Sequence, residues 1–382
     1  MQPVLSPPSD ISAGAFDKAG AALARESLQE RRAALRLAFD DQPKPARLLT
    51  DHRRLVDQVL REVWRALGMP KSLSLLAVGG FGRGELFPYS DVDLLVLLPG
   101  APDEALRVQL EALVGRLWDL GLEVGHSVRT VEECIDEASR DITVRTAMLE
   151  ARWIAGSRAL YRRFSAEAHQ FDHRDFLAAK ELEQEHRHAK YHDSPYSLEP
   201  NIKESPGGLR DLQVIRWIAL ACGFGNSWND LACRGFITAR ESLEAMRHER
   251  FLQQIRIRLH YAAGRREDRL LFDHQDRVAR LLGFAPSATK RASEQLMQRY
   301  YRTAKAVTQL NTLLMQNMAA AIGPEPSRVA EPVNERFQVI QGLLDVRDEA
   351  LFEREPHGIL ESFLLMQRDS GLKGMTARTL RS

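Results

Sequence analysis

Residues 79–94 read GGFGRGELFPYSDVDL, and this stretch decides the fold and the chemistry of its surroundings. Its first half carries glycines at positions 79, 80, 82 and 84. Glycine has no Cβ atom, so the backbone N–H groups of such a turn can approach phosphate oxygens closely. The spacing does not fit the dinucleotide-binding pattern, and Glu85 stands where a P-loop needs lysine. A dinucleotide-dependent enzyme and a P-loop NTPase are therefore disfavoured.

The second half holds two carboxylates, Asp91 and Asp93, at the start of an apolar strand. Alternation along a strand predicts that both point to one face of the sheet. Adjacent carboxylates repel each other, and a divalent cation with oxygen ligands is the usual compensation. Such ions clamp the attacking and leaving oxygens of an in-line displacement at phosphorus, as in nucleotidyl transfer. A polar turn at Ser90 and a solvated strand edge would explain the pair alone, but the glycine-rich turn favours catalysis.

A third carboxylate is expected to complete the metal shell or to accept the proton of the attacking hydroxyl. Glu123, on the third predicted strand, has that setting, although a solvated strand residue is an equally good interpretation. Asp119, at the end of the preceding helix, is the alternative.

Predicted helices and strands lie on both sides of residues 79–94. Short apolar runs predict three strands, over residues 72–78, 92–98 and 122–128. Apolar residues at three- and four-residue intervals predict helices over residues 28–39, 48–67 and 104–118, and almost everything beyond residue 130 is predicted helical. The near-continuous apolar run 92–98 is typical of a strand covered on both faces. The order predicts a compact α/β unit followed by a predominantly α-helical domain.

The composition of the chain limits the classes of function that it can have. With 382 residues, of which 53 are Lys or Arg and 52 Asp or Glu, the chain is long enough for two or three domains and nearly neutral. Near neutrality disfavours a nucleic-acid partner, which normally needs a basic stripe. Three cysteines without a C-x-x-C pair, no signal peptide and no long apolar stretch indicate a cytoplasmic protein that does not bind a membrane.

Two further charged segments leave alternatives open. In residues 203–211, Lys203 and Arg210 flank the turn SPGG before a predicted helix, whose free N–H groups favour an anion. An ordinary loop explains them equally well. Residues 265–269, RREDR, are either a self-paired surface cluster, which is the favoured interpretation, or a rim that meets phosphates or a partner protein.

Residues 79–94 resemble the signature of the DNA polymerase β-like nucleotidyltransferases, and more narrowly that of the uridylyltransferases of the nitrogen-regulatory protein PII. The narrower resemblance covers most of residues 50–382. It continues through LEVGHSVRT (122–130), LEPNIKESPGGLRD (198–211), RLHYAAGRREDRL (258–270) and MQRYYRTAK (297–305). Several motifs in the same order are far more specific than two aspartates alone.

The resemblance implies transfer of UMP from UTP to a tyrosine of PII, with release of pyrophosphate and with Mg²⁺ or Mn²⁺. By it, Asp91 and Asp93 become metal ligands and Glu123 the candidate third carboxylate. The nucleotide-binding candidates are Gly79, Gly80, Gly82, Arg83, Ser90, Lys203 and Arg210. An adenylyltransferase or another nucleotidyltransferase with a different acceptor, and a catalytically silent nucleotide-binding module, stay open as alternatives.

The resemblance also implies a domain plan. The expected segments are a mobile arm (1–25), bracing helices (26–71), an α/β nucleotidyltransferase domain with a small mixed sheet (72–155), a helical domain that completes the nucleotide site (156–322), and a linker with short helices (323–382). Full-length family members continue into an HD phosphohydrolase domain and glutamine-sensing ACT domains. No such region follows Ser382, so we expect a fragment with neither uridylyl-removing activity nor a glutamine response.

Overall fold

The structure is a computed structural model that describes residues 18–191, 193–322, 330–340, 342–369, 371–372 and 374–382. Each of two compact units is built from separate stretches of the chain. The first unit contains the described residues up to Phe171, Leu198–Lys203 and Glu249–Arg299. The second contains Asp172–Ser197, Glu204–His248 and the described residues from Tyr300 onward.

Helices dominate the chain. In order they are α1 (Lys18–Asp41), α2 (Pro45–Ala66), α3 (Gly79–Gly82), α4 (Glu104–Asp119), α5 (Val131–Arg140), α6 (Ile142–Leu149), α7 (Arg158–Ala168), α8 (His173–Lys190), α9 (Leu209–Ala221), α10 (Trp228–Cys233), α11 (Ala239–Ala263), α12 (Phe272–Leu281), α13 (Ala292–Ile322), α14 (Leu351–Arg354), α15 (Gly358–Arg368) and α16 (Ala377–Arg381). Among the described helices, none is both long and apolar enough to cross a membrane.

Two small sheets accompany the helices. The strands are β1 (Ser74–Ala77), β2 (Val92–Leu98), β3 (Val124–Thr130), β4 (Arg152–Gly156), β5 (Glu331–Pro332), β6 (Phe337–Ile340), β7 (Leu343–Val346) and β8 (Gly374–Met375). The first sheet, in the first unit, has the order β3-β2-β1-β4. Strands β2 and β3 are parallel, whereas β1 is antiparallel to both β2 and β4. The first sheet is therefore mixed, as predicted.

Both faces of the first sheet are covered. On one face Leu94, Val96 and Leu98 pack in a core with apolar residues of α1, α2 and α4. On the other face Leu95 and Leu97 pack with residues of α5, α6 and α7. Burial on both sides explains why β2 carries almost no polar residue, and Asp93 is the exception. The predicted α/β class with a following helical region is confirmed.

Several local predictions need correction. Residues 1–17 of the predicted mobile arm lie outside the described residues, while residues 18–25 form the start of α1. No strand was predicted at β4, which lies in the part of the chain predicted to be almost entirely helical, but it pairs antiparallel with β1, about 80 residues earlier in the chain. Residues 198–203 and 249–299, assigned to the helical domain, cluster with the unit that holds the first sheet.

The last segment differs from the predicted run of short helices, because it contains the second sheet. Strands β5, β6, β7 and β8 are hydrogen-bonded in that order, and β6 pairs antiparallel with β7. Only residues 341–342 separate β6 from β7, so the two apolar runs form a hairpin. A short apolar run does not distinguish a strand from a buried helix by its periodicity, which accounts for the wrong prediction.

Candidate active site

The glycine-rich stretch forms the one-turn helix α3 directly after β1. Gly79 has φ +57°, a left-handed conformation that glycine adopts without steric cost. At Gly82 a Cβ atom would stand 2.3 Å from the Glu150 carbonyl oxygen and 2.9 Å from that of Ala77. Gly82 is therefore required for close backbone packing. At Gly80 a Cβ atom would meet nothing closer than 3.8 Å, so its open side has room for a ligand.

Arg83 is held by two carboxylates. Its Nη1 donates to both oxygens of Glu150, at 2.6 and 2.7 Å, and its Nε donates to Glu85 at 3.0 Å. Burial alone would lower the pKa of Arg83, but the charges of Glu150 and Glu85 outweigh burial and raise it. The guanidinium thus fastens the turn to the end of α6. Its predicted contact with the triphosphate stays a prediction.

Asp93 lies between two glycines. In the parallel pairing of β2 with β3 it stands opposite Gly125. A Cβ atom at position 125 would be 2.7 Å from Asp93 Oδ1, and a Cβ atom at Gly79 would be 3.3 Å from Asp93 Oδ2. The two glycines keep space around both carboxylate oxygens. Such space is what a metal ion or a phosphate needs next to its ligand.

The pKa of Asp93 is shifted by burial and by the charges around it. Burial, and then the charge of Asp91, raise the pKa of Asp93, whereas Lys203 and Arg266 act in the opposite direction. Asp91 itself is paired with Arg266, whose Nη1 contacts Asp91 Oδ2. Two carboxylates and two cationic side chains therefore meet at the start of β2.

A cleft of about 660 Å³ opens at this place. Its lining residues are Arg25, Asp91, Asp93, Trp118 and residues 121–125. Glu123 is thus in the same cleft as the two aspartates, although it precedes β3 instead of lying on it. The side chain of Glu123 is exposed, and its backbone carbonyl accepts the Val92 N–H at 2.8 Å. Asp119, the alternative, is 56% exposed and pairs with Arg116 on α4.

The turn that presents the aspartates is fixed from one side by α11. His260 Nδ1 contacts the carbonyl oxygen of Pro88, and His260 Nε2 lies 3.2 Å from Asp268 Oδ1. Arg256 donates to the same carboxylate at 2.6 Å. Burial alone would raise the pKa of Asp268, but the hydrogen bond from His260 and the charge of Arg256 lower it.

The same turn is held by α2 and contains a strained residue. His52 Nδ1 lies 3.1 Å from the Leu86 carbonyl oxygen, and burial, with a smaller contribution from Arg32, lowers the pKa of His52 to about 4. Tyr89 has φ +58°, which is uncommon for a residue with a side chain. Ser90 donates its backbone N–H to Phe87 at 3.2 Å. Strain of this kind persists where surrounding contacts impose the conformation.

Lys203 and Arg210, predicted together, belong to different units. Lys203 is in the first unit, where its charge acts on Asp93. In the second unit Arg210 donates to Glu204 at 3.0 Å and stacks 5.1 Å from the Trp217 ring. The predicted nucleotide contact of Arg210 stays a prediction.

Asp211, at the start of α9, has a structural role in the second unit. Its fully buried carboxylate accepts from Arg187 at 2.6 Å and from the Gly207 N–H at 2.7 Å, and lies 2.9 Å from His188 Nε2. A Cβ atom at Gly207 would stand 2.2 Å from the Ala304 carbonyl oxygen. The turn SPGG is therefore closed by Asp211 and packs tightly against α13.

The residues at the cleft fit a divalent cation such as Mg²⁺. Mg²⁺ is usually bound by one or two carboxylates together with substrate phosphates and water. Asp91, which directly precedes β2, and Asp93 on β2 line the same cleft and offer carboxylate oxygens of this kind. The flanking glycines leave room, and the Arg266 guanidinium already stands in as a cation at Asp91. Within the described part of the chain no group of three or more His, Cys, Asp or Glu side chains could hold a metal alone.

Sequence reasoning gave no role to His260 and left two interpretations open for the segment that contains Arg266 and Asp268. Arg266 is 175 positions from Asp91, so no local pattern connects them, and the favoured interpretation of residues 265–269 was a self-paired surface cluster. That interpretation holds for Arg265, which pairs with Glu267. Arg266 contacts Asp91 instead of a neighbour in its own segment, and the alternative of a rim that meets phosphates or a partner protein stays a prediction.

Comparisons with known proteins agree with this arrangement. Residues 57–154 match the family model described as a nucleotidyltransferase domain, and residues 175–315 match the one described as GlnD PII-uridylyltransferase. Residues 337–382 match the model of the uridylyltransferase GlnD third domain.

Curated relatives share more than half of their aligned residues with this chain. A bifunctional uridylyltransferase/uridylyl-removing enzyme of Aromatoleum aromaticum is 52% identical over 97% of this chain and 43% of the relative. The enzyme of the same name from Burkholderia lata is 56% identical over 86% of this chain and 39% of the relative. The chain thus spans about two fifths of the length of these relatives. The three domain models along its length and this degree of identity show that the chain belongs to the PII-uridylyltransferase family of nucleotidyltransferases.

Proposed function

We propose that this chain transfers UMP from UTP to a tyrosine hydroxyl of a PII protein and releases pyrophosphate. The observation that carries the proposal is the pair Asp91 and Asp93 beside a glycine turn, in a chain of the uridylyltransferase family. The names of the relatives support uridylyl transfer. The family description supports a PII protein as the acceptor. We propose that the reaction takes place in the cytoplasm.

The proposed reaction is an in-line displacement at the α-phosphorus of UTP. The tyrosine oxygen forms the new bond to phosphorus, the bond to the pyrophosphate oxygen breaks, and the tyrosine proton leaves to a base. Glu123 is our candidate for that base, because its carboxylate is exposed in the cleft that Asp91 and Asp93 line. A base of this kind contributes about 10²–10⁴-fold to a rate.

The other residues of the site would position the nucleotide and neutralise its charge. Asp91 and Asp93 would hold Mg²⁺ or Mn²⁺, which stabilises negative charge on the phosphoryl oxygens when it is bound. Gly79 and Gly80 leave the triphosphate side of the turn open, and Ser90 shapes the turn before Asp91. Lys203 adds a positive charge near Asp93. Each group acts from a fixed position, so little reorganisation is needed during the reaction.

The test is incubation of the chain with purified PII, Mg²⁺ and either α-labelled UTP or α-labelled ATP, followed by measurement of label on PII. Label from UTP, absent when the PII acceptor tyrosine is replaced by phenylalanine, is the expected result. Asp91→Asn is the matched control, because it removes one carboxylate charge and keeps the size of the side chain.

Other outcomes would contradict the proposal. Label from ATP instead of UTP would indicate an adenylyltransferase. Nucleotide binding without label from either nucleotide would indicate a silent binding module. Equal labelling by the wild type and Asp91→Asn would remove the assignment of the site.

A further inference from the structure

Arg266 forms an ion pair with Asp91, which lines the cleft that we assign to the metal. The guanidinium contacts Oδ2 of Asp91, a carboxylate that we expect to coordinate the divalent ion. Its charge also acts on Asp93, the second expected ligand. A cation from the protein itself therefore stands where the bound cation is needed.

The loop that carries Arg266 is anchored through its backbone on both sides of that residue. Gly264, with φ +67°, ends α11 and donates its N–H to the His260 carbonyl at 2.9 Å. On the other side Asp268 is held by Arg256 and His260, and its carbonyl accepts the Ile202 N–H at 2.7 Å. Between these anchors the Arg266 side chain is 55% exposed. We therefore take the side chain, and not the loop backbone, as the part that moves.

The ion pair is weak enough to exchange. Asp91 is 42% exposed, and water solvates both partners of such a pair, so the pair contributes little net stability. A divalent cation carries twice the charge of a guanidinium and interacts with both aspartates at once. When the metal is bound, like charges oppose a guanidinium at the same carboxylate.

We propose that Arg266 is a built-in counter-cation of the metal site, which neutralises Asp91 until a divalent cation displaces it and the freed guanidinium turns to the triphosphate. This inference rests on the proposed function, since it takes Asp91 as a metal ligand. It adds a competition between Arg266 and the divalent cation for Asp91, which the two aspartates alone would not produce. The guanidinium exchanges one anion for another, because phosphate oxygens match its planar donors as well as a carboxylate does.

The test measures Mn²⁺ binding directly, by the electron paramagnetic resonance signal of free Mn²⁺ titrated with protein. Without nucleotide, Arg266→Gln is expected to bind Mn²⁺ about threefold to tenfold more tightly than the wild type, because the competing charge is gone. With α,β-methylene-UTP and saturating Mn²⁺, the same variant is expected to bind the nucleotide more weakly by a similar factor.

Arg265→Gln is the matched control. It removes the same charge one residue away, from a side chain that is 70% exposed and pairs with Glu267 at 2.8 Å. This control should leave both affinities unchanged. An equal effect of the two variants would mean that net charge alone acts, and would overturn the proposal.

The remaining outcomes separate this inference from the proposed function. Unchanged Mn²⁺ affinity in Arg266→Gln, while Asp91→Asn loses Mn²⁺ binding and PII is labelled, overturns only the role of Arg266. Mn²⁺ binding that Asp91→Asn does not weaken overturns both. Circular dichroism of each variant checks that the fold is retained.

Discussion

Gly125 stands directly opposite Asp93 across the parallel strands β2 and β3, and a Cβ atom at position 125 would lie 2.7 Å from the Asp93 carboxylate. The strand that neighbours the two aspartates therefore contributes empty space, not a side chain, at this position. We predict that Gly125→Ala lowers kcat/KM for UTP by about tenfold to a hundredfold, because it displaces the carboxylate that we propose as a metal ligand.

Gly115→Ala is the control for this substitution. Gly115 lies on α4 with nothing within 4 Å of its Cβ position, so alanine should stabilise the helix by about 1 kcal/mol and leave the rate unchanged. Steady-state kinetics and thermal unfolding measure the two effects. A Gly125→Ala enzyme with wild-type kinetics would mean that the space beside Asp93 has no role.

Gly82 and Gly80 are predicted to differ although both lie on α3. Gly82→Ala brings a methyl group against the Glu150 carbonyl and should cost about 3 kcal/mol of stability. Gly80→Ala has room for its methyl group, so the free energy of unfolding should stay within about 0.5 kcal/mol while KM for UTP rises. Denaturant unfolding and initial-rate kinetics test the pair. The reverse pattern would contradict the assignment of packing to Gly82 and ligand space to Gly80.

Glu123→Gln is predicted to lower kcat strongly, by about 10²-fold, with little change in UTP affinity, because the amide no longer accepts a proton. Asp119→Asn is the matched variant, since the structure pairs Asp119 with Arg116 on the helix surface. Rapid-quench measurement of the chemical step separates rate from binding. A large loss in Asp119→Asn with none in Glu123→Gln would move the role to Asp119.

The raised pKa of Asp93 has a consequence for stability. Because the folded-state pKa lies above the ordinary value of 3.8, the folded state holds the proton more tightly than the unfolded chain does. This group therefore stabilises the fold at low pH, and that contribution is lost as the pH rises from 3.8 through the folded pKa. Asp93→Asn, which has no charge to lose, should be inactive but more stable than the wild type at neutral pH, by a margin that shrinks on acidification.

Urea unfolding at several pH values measures that margin. Asp136→Asn, which removes an exposed partner of Arg140, should change the free energy of unfolding by less than about 0.5 kcal/mol throughout. A margin that is constant with pH would argue against a raised pKa at Asp93.

Asp268 is predicted to be a positioning residue. Asp268→Asn leaves the buried charge of Arg256 without its carboxylate, which should cost about 3 kcal/mol of stability. Because the Asp268 pKa is depressed in the fold, its contribution is present above pH 3.8 and is lost as the pH falls below that value. Asp276→Asn, at an exposed pair with Arg280, should cost under about 0.5 kcal/mol. Equal unfolding midpoints of the two variants would contradict this role.

The sequence predicted those parts of the fold whose signals are local. Strand β2 was predicted with the observed bounds, and helix α9 was predicted to follow the turn SPGG, because an unbroken apolar run and a turn before a periodic segment carry their own signals. Strand β4 could not be recognised, since its five residues show no alternation and its partner β1 is far away in the chain. The hairpin of β6 and β7 was hidden by the same ambiguity of short apolar runs.

For the candidate site, Asp91 and Asp93 could be predicted because both stand in one short motif. The contacts of Arg266 and His260 with this part of the chain could not be predicted, since both residues reach it only through tertiary folding. Lys203 was predicted as a nucleotide-binding residue, but the action of its charge on Asp93 was not predicted. The motif also gave no indication of the role of Gly125. No sequence pattern shows that a glycine in a strand is needed for the space that its missing side chain leaves.

Strand β4 also determines how far the catalytic part of the chain can be trimmed. The main chain passes against β1 at Gly156, where a Cβ atom would stand 2.1 Å from the Leu73 carbonyl, and Arg152 binds Asp57 of α2 at 2.8 and 2.9 Å. A piece cut before β4 would leave β1 as an unpaired sheet edge, which invites aggregation with other molecules. An engineered minimal version of this domain should therefore keep the chain through Gly156, beyond residue 154, where the match to the nucleotidyltransferase domain ends.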